Sequence, residues 1–226
     1  MKQYPAEQIR NVAILGHSGS GKTSFAEAVL FNAKVTDRLG KSNDGTTTMD
    51  YEPEERKRNI SISMALAAFD WKGTKINLLD TPGDFDFMGE VTNALRVVDS
   101  ALIVLSGRDG FDVGSEKSVR YCRKGHTPFF YIINKLDDEN SKFDEVVAAA
   151  NAFSPGTIPF VLPLREGRSL TGFVDIIHNQ AYTIGAKGGL EKSDMPQDAA
   201  EEVGSIREQL NEIVAETSEE LMDKFF

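Results

Sequence analysis

The sequence predicts an α/β fold, a mostly parallel sheet with helices on both faces. Strand-like and helix-like segments alternate from Asn11 to Ala152, the order that builds parallel sheets through helical crossovers. Residues 101–105 and 128–133 are continuous apolar runs, as expected of strands covered on both sides. Between the first strand and the first helix lies Gly16-His17-Ser18-Gly19-Ser20-Gly21-Lys22-Thr23. It fits the pattern G-x-x-x-x-G-K-[ST], in which glycines let backbone N–H groups wrap a phosphate at a helix N-terminus.

In chain order, residues 1–8 are polar, with Pro5, and read as a loose lead-in. Asn11-Val12-Ala13-Ile14-Leu15 is a short buried strand, and residues 23–32 form a helix with Phe25, Ala28, Val29 and Phe31 as its apolar positions. Residues 35–58 follow with no steady period. Polar loops this long tend to be functional or disordered. Beside a phosphate loop, the expectation is a segment ordered by a terminal phosphate and mobile without one. Residues 60–71 open with Ile60-Ser61-Ile62-Ser63 and read as a strand, Gly73 turns the chain, and residues 75–79 return to end in Asp80-Thr81-Pro82-Gly83. Helical spacing runs through Phe87, Val91, Ala94, Leu95 and Val98; residues 101–105 are a strand and residues 115–124 a helix. The apolar run 128–133 ends in Asn134-Lys135-Leu136-Asp137, and residues 142–152 are helical.

From Ser154-Pro155-Gly156 the texture changes. Residues 160–162, 172–177 and 180–184 are short strand-like pieces, and residues 185–189 a loop. One long helix is expected from about Gln197 to the end, with a stripe of Val203, Ile206, Leu210, Ile213, Val214, Leu221 and Phe225 and a polar gap at Thr217. The stripe reaches the last residue without a capping signal, which reads as a cut.

The chain has 226 residues, 40% hydrophobic and 27% charged, ordinary for one large α/β domain with an appendage. A single cysteine, Cys122, excludes an internal disulfide and points to a reducing compartment. No leader-like segment and no membrane-spanning apolar run stand out, so a soluble, cytoplasmic monomer is expected. The net charge of −10 argues against direct, sequence-specific nucleic-acid binding by this chain. From Glu201 onward eight acidic residues face two basic ones, Arg207 and Lys224, which suits a solvated helix face or a surface for a basic partner.

In parallel sheets the ligand sits beyond the carboxyl ends of the strands, so the motifs ending in Thr23, Gly83 and Asp137 are expected to converge on one crevice. Residues His17, Ser18, Gly19, Ser20, Gly21, Lys22, Thr23 and Ser24 would hold phosphates, with Lys22 on the outer ones and the Thr23 hydroxyl toward Mg²⁺. Asp80 would hold Mg²⁺ through a water, and the Gly83 N–H would reach a γ-phosphate unobstructed. Asn134, Lys135 and Asp137 suit guanine. A carboxylate at Asp137 accepts from N1–H and the 2-amino group, and adenine offers an acceptor instead of N1–H. Such a site discriminates by roughly 10⁴-fold. GTP and GDP are the expected ligands. An adenine-specific ATPase would leave Asp137 idle.

These residues resemble the translational GTPases, and closest the G domain of elongation factor G and its paralogues. The likeness runs through Arg10-Asn11-Val12-Ala13-Ile14, the phosphate loop, Thr48-Met49-Asp50-Tyr51, Asp80-Thr81-Pro82-Gly83, Asp86-Phe87, Glu90-Val91 and Asn134-Lys135-Leu136-Asp137. Thr171-Gly172-Phe173-Val174-Asp175 and Glu219-Glu220-Leu221-Met222-Asp223-Lys224 look like the subdomain that this family inserts before its last guanine motif. The resemblance implies a P-loop GTPase core over residues 1–155 and part of the inserted subdomain over 156–226. It implies an N-terminal fragment of a ribosome-acting factor, with GTP hydrolysis involving Lys22, Gly83 and the residue after Gly83.

Departures from the family pattern matter. The usual Asp and Ala of the loop are Gly19 and Ser20, and the Mg²⁺-ligating threonine falls at Ser61, which keeps the hydroxyl. The histidine that follows D-T-P-G in the family is Asp84 here. A carboxylate near a γ-phosphate opposes the charge that builds up in phosphoryl transfer, though a raised pKa would suit it as a base. Slow intrinsic hydrolysis by a divergent paralogue is therefore expected. A GTP/GDP-binding regulator with weak ribosome stimulation and a ribosome-protection factor are the alternatives.

Overall fold

The computed structural model describes residues 3–185 and 188–225. Contacts divide the chain into two compact units, Met1–Asn134 and Lys135–Phe226. The first contains β1 (Ile9–Leu15), α1 (Lys22–Asn32), α2 (Pro53–Arg58), β2 (Ala65–Trp71), β3 (Thr74–Asp80), α3 (Met88–Leu95), β4 (Ser100–Ser106), α4 (Val113–Lys124) and β5 (Phe129–Asn134). Its sheet has the order β2-β3-β1-β4-β5. β1 runs parallel to β3 and β4, β4 runs parallel to β5, and only the edge strand β2 is antiparallel. β1 lies at the centre because its residues Ala13, Ile14 and Leu15 are wholly apolar and fully buried. Alternate residues point to opposite faces of a strand. Ile14, Leu78 and Val104 pack with Ala26 and Leu30 of α1 on one face. Ala13, Leu15, Leu79, Ile103 and Leu105, of opposite parity, are equally buried, and α3 and α4 touch β1 and β4. Both faces of the sheet are covered, as the α/β reading requires.

The second unit contains α5 (Phe143–Phe153), β6 (Val161–Glu166), β7 (Ser169–Asp175), β8 (Gln180–Ile184), β9 (Leu190–Ser193), α6 (Gln197–Ala215) and α7 (Glu219–Phe225). The four strands form an antiparallel sheet in sequence order. Leu162, Val174, Ile176, Ala181 and Val203 form its core, with Phe143, Leu164, Met195 and Ile206 packed against it. Among the described residues, no helix is long and apolar enough to cross a membrane.

Four sequence expectations are corrected. The strand expected from Ile60 begins at Ala65, because the N–H groups of Ile62 and Ser63 donate to Glu55 and that of Met64 to Glu90, at 2.8–3.0 Å. Those donors are thereby taken from any ladder. The single C-terminal helix is two. The Thr217 hydroxyl donates back to the Val214 carbonyl at 2.7 Å, and the Ser218 hydroxyl accepts the Leu221 N–H at 3.3 Å. Side chains that compete locally for backbone groups end helices and cap new ones. In α1 the buried positions are Lys22, Ala26, Glu27 and Leu30, and Phe31 is exposed. The edge strand β9, Leu-Glu-Lys-Ser, carries no alternation that would reveal it. The loop expected over 185–189 lies partly outside the described residues.

Candidate functional site

The loop after β1 is shaped from two directions. Gly21 caps the N-terminus of α1 with φ 96°, a left-handed conformation that favours glycine. A Cβ there would strike the Asn134 side-chain nitrogen. Asn134, at the end of β5, donates from that nitrogen to the Ser20 carbonyl at 3.1 Å. From within the loop, the Lys22 ammonium donates to the His17 carbonyl at 2.9 Å. Ser18, Gly19 and Ser24 are exposed. Ser20 is buried and its hydroxyl has no partner, nor has the buried His17 Nδ1.

Asp80, at the carboxyl end of β3, lies under Lys22 and Thr23. Burial pushes its carboxyl up to about 6, opposed by the Lys22 charge and the Thr23 hydrogen bond. Burial likewise lowers Lys22, opposed by the carboxylates of Asp80, Asp112 and Asp50. The Thr23 hydroxyl donates to Asp80 Oδ2 at 2.7 Å, and the Ser61 hydroxyl donates to Asp50 Oδ1 at 2.8 Å. Asp50 also accepts from the Thr47 hydroxyl at 2.8 Å. The Thr23 and Ser61 oxygens are 3.2 Å apart. The two hydroxyls are thus within hydrogen-bond distance of each other, and either can be the donor. A small hard cation suits that arrangement, since adjacent oxygens of an octahedral Mg²⁺ shell are separated by about 2.9 Å. Asp80 Oδ1, buried and without a partner, adds an acceptor beside them. The donor set therefore fits Mg²⁺.

Gly83 approaches the loop so closely that a Cβ would lie against the Lys22 ammonium and 2.6 Å from the Ser18 nitrogen. Asp84 follows, half-buried, and its Oδ1 accepts the Asp86 N–H at 3.1 Å, capping a short turn over Phe85–Phe87. The structure thus brings the phosphate loop, Asp80, Gly83, Ser61 and Asn134 together within the first unit. Lys135 and Asp137 belong to the second. There Lys135 takes a left-handed φ of 59°, Asp137 is exposed, and the Arg165 guanidinium donates to the Leu136 carbonyl and the Ser141 hydroxyl.

Sequence reasoning missed Glu27 and Glu55 as organisers of residues 35–63. Glu27 Oε1 accepts the N–H groups of Thr48 and Met49 at 2.5 and 3.0 Å. Glu55 closes a capping box on Glu52 and also accepts from Ile62 and Ser63. The only local signal was the pair Glu52 and Glu55 at capping-box spacing around Pro53. Glu27 gave none beyond a charge inside an apolar helix.

A phosphate loop after β1, an Asp-x-x-Gly turn after β3 and Asn-Lys-x-Asp after β5, on a sheet of this order, define a P-loop GTPase G domain. The family described as the elongation factor Tu GTP binding domain matches residues 7–225, and the chain belongs to it. It is 36% identical to the elongation factor G of Neorickettsia sennetsu, over 97% of this chain and 32% of that protein. A crystal structure of a Thermus thermophilus protein superposes with a TM-score of 0.91 at 32% identity, covering 96% of this chain and 33% of that one. The chain thus spans about a third of the length of these relatives.

Proposed function

We propose that this chain is the GTP-binding and GTP-hydrolysing switch domain of an elongation factor G-like translation factor that acts on the ribosome in the cytoplasm. The observation that carries the proposal is the meeting of Thr23, Ser61 and Asp80 beneath the phosphate loop, which links the nucleotide site to the segment 35–63. Residues 1–155 form the nucleotide-binding core and residues 156–226 part of an inserted subdomain. The backbone and side chains from His17 to Ser24 bind the phosphates, with Lys22 on the β- and γ-phosphates. Thr23 and Ser61 would hold Mg²⁺ directly and Asp80 through a water, and the ion would there supply neutralisation of the charge that develops on the phosphate oxygens. Asn134, Lys135 and Asp137 bind guanine.

In hydrolysis, the Gly83 N–H donates to the γ-phosphate, and loss of that phosphate releases the segment it held. Lys22 stabilises charge on the transferring group. Asp84 occupies the position after Gly83, where it orients water poorly while its Oδ1 caps the Phe85–Phe87 turn. That same feature favours a second reading, a GTP/GDP-binding regulatory paralogue with weak or no ribosome-stimulated turnover.

GTP turnover by the full-length protein, with and without 70S ribosomes, tests the proposal. Strong stimulation supports a ribosomal GTPase. Tight GTP and GDP binding without stimulation supports the regulatory reading, and Asp84→His should then raise turnover. Failure to bind either nucleotide sinks both.

A further inference from the structure

We propose that Lys117 is a positioning residue for GTP hydrolysis, acting through the Phe85 ring on the turn that carries Asp84. The inference rests on the reading of this chain as a GTP-hydrolysing switch.

Three elements of the first unit meet at one aromatic ring. The Lys117 ammonium, from α4, lies 3.6 Å from the centroid of Phe85, well inside the range in which a ring face attracts a cation. The His17 ring, from the phosphate loop, is 5.7 Å from that ring and tilted at 45°. Gly114 lets His17 seat against α4, since a Cβ there would be 2.7 Å from both His17 Cβ and Nδ1. Gly114 and Lys117 are three residues apart in α4 and so share one face of the helix. His17 is also held through its carbonyl by Lys22.

The turn itself is otherwise braced from inside. The Asp86 N–H reaches Asp84 Oδ1 and the Phe87 N–H reaches the Asp84 carbonyl, and neither bond ties it to the phosphate loop. Phe85 remains 39% exposed, so burial alone is a weak anchor. The Lys117 cation and the seated imidazole add a constraint that the turn's internal bonds do not. Because Phe85 directly follows Asp84, fixing the ring restricts where the Asp84 carboxylate and the Gly83 N–H stand relative to the loop. A displacement there acts on the reacting geometry more than on nucleotide affinity.

The test uses the full chain with Lys117→Met, Lys117→Arg, Phe85→Leu and the Lys117→Met/Phe85→Leu pair. Three quantities are read: single-turnover hydrolysis at saturating GTP, GDP affinity, and hydrogen exchange at the Asp86, Phe87 and Met88 amides. Methionine keeps the stem and removes the charge, and its expected effect is a loss of about two- to fivefold in hydrolysis with GDP affinity unchanged. Exchange at the three amides should rise by a similar factor. Arginine should restore both, and methionine should add no further loss once Phe85 is leucine. Wild-type rates and exchange in Lys117→Met, or an equal loss in the Phe85→Leu background, would overturn the proposal. If the wild-type chain binds GTP without hydrolysing it, the hydrolytic reading falls on its own. Exchange then decides Lys117 alone: acceleration upholds its hold on the turn, and no change overturns it.

Discussion

Glu27 is fully buried in the middle of α1, yet one of its oxygens accepts two backbone N–H groups from a segment more than twenty positions away. Its size and charge make it a poor choice for a core helix position, so its place is explained by those two donors. Glu27→Ala would leave the buried Met49 amide and the part-buried Thr48 amide without their acceptor. The expected cost is about 2–4 kcal/mol of unfolding free energy, read by urea denaturation, with Glu27→Gln costing less because it keeps an acceptor. A loss under about 0.5 kcal/mol would show that water replaces the carboxylate. Such residues were illegible beforehand because their partners are fixed by the fold. Lys22, Thr23 and Asp80 were legible because short-range spacing alone declares them. Ser61 became legible only through the family likeness, since nothing near it in the sequence signals its contact with Thr23.

At the scale of elements, residues 35–58 hold more regular structure than their lack of periodicity suggests. A short helical turn spans Ser42–Asp44 and α2 spans Pro53–Arg58. Both are too short to register as an amphipathic period, and α2 is closed by the Glu52–Glu55 capping box. Glu55 bonds three amides, of Glu52, Ile62 and Ser63, on both sides of α2. Glu55→Ala should therefore speed hydrogen exchange at Ile62 and Ser63 by at least about tenfold, while amides in β1 keep wild-type protection. Equal exchange in variant and wild type would show that α2 is held otherwise. Strands β4 and β5 were easy to read because they are continuous apolar runs, whereas the polar lead-in to β2 hid where it starts. β9 and the break after Ala215 were hard, since an edge strand needs no apolar face and a helix end made by Thr217 and Ser218 looks like two ordinary polar residues.

For the whole molecule, the proposed guanine selectivity would give a thermodynamic signature. A ligand that binds only the folded state at about 100 times its Kd adds about 2.7 kcal/mol. GDP should accordingly raise the thermal midpoint by roughly 5–11 °C, and ADP at the same concentration should not. An equal shift with ADP would remove Asp137 from its assigned role. The bond from Asn134 to the Ser20 carbonyl spans 114 positions and carries a consequence for synthesis. The last strand of the first sheet braces the loop that leads into the first α-helix. Non-local pairings of this kind form late. A nascent chain halted before β5 would display every residue of the phosphate loop without the brace that shapes it. The brace on the phosphate loop is therefore complete only once the entire five-stranded sheet has been synthesised.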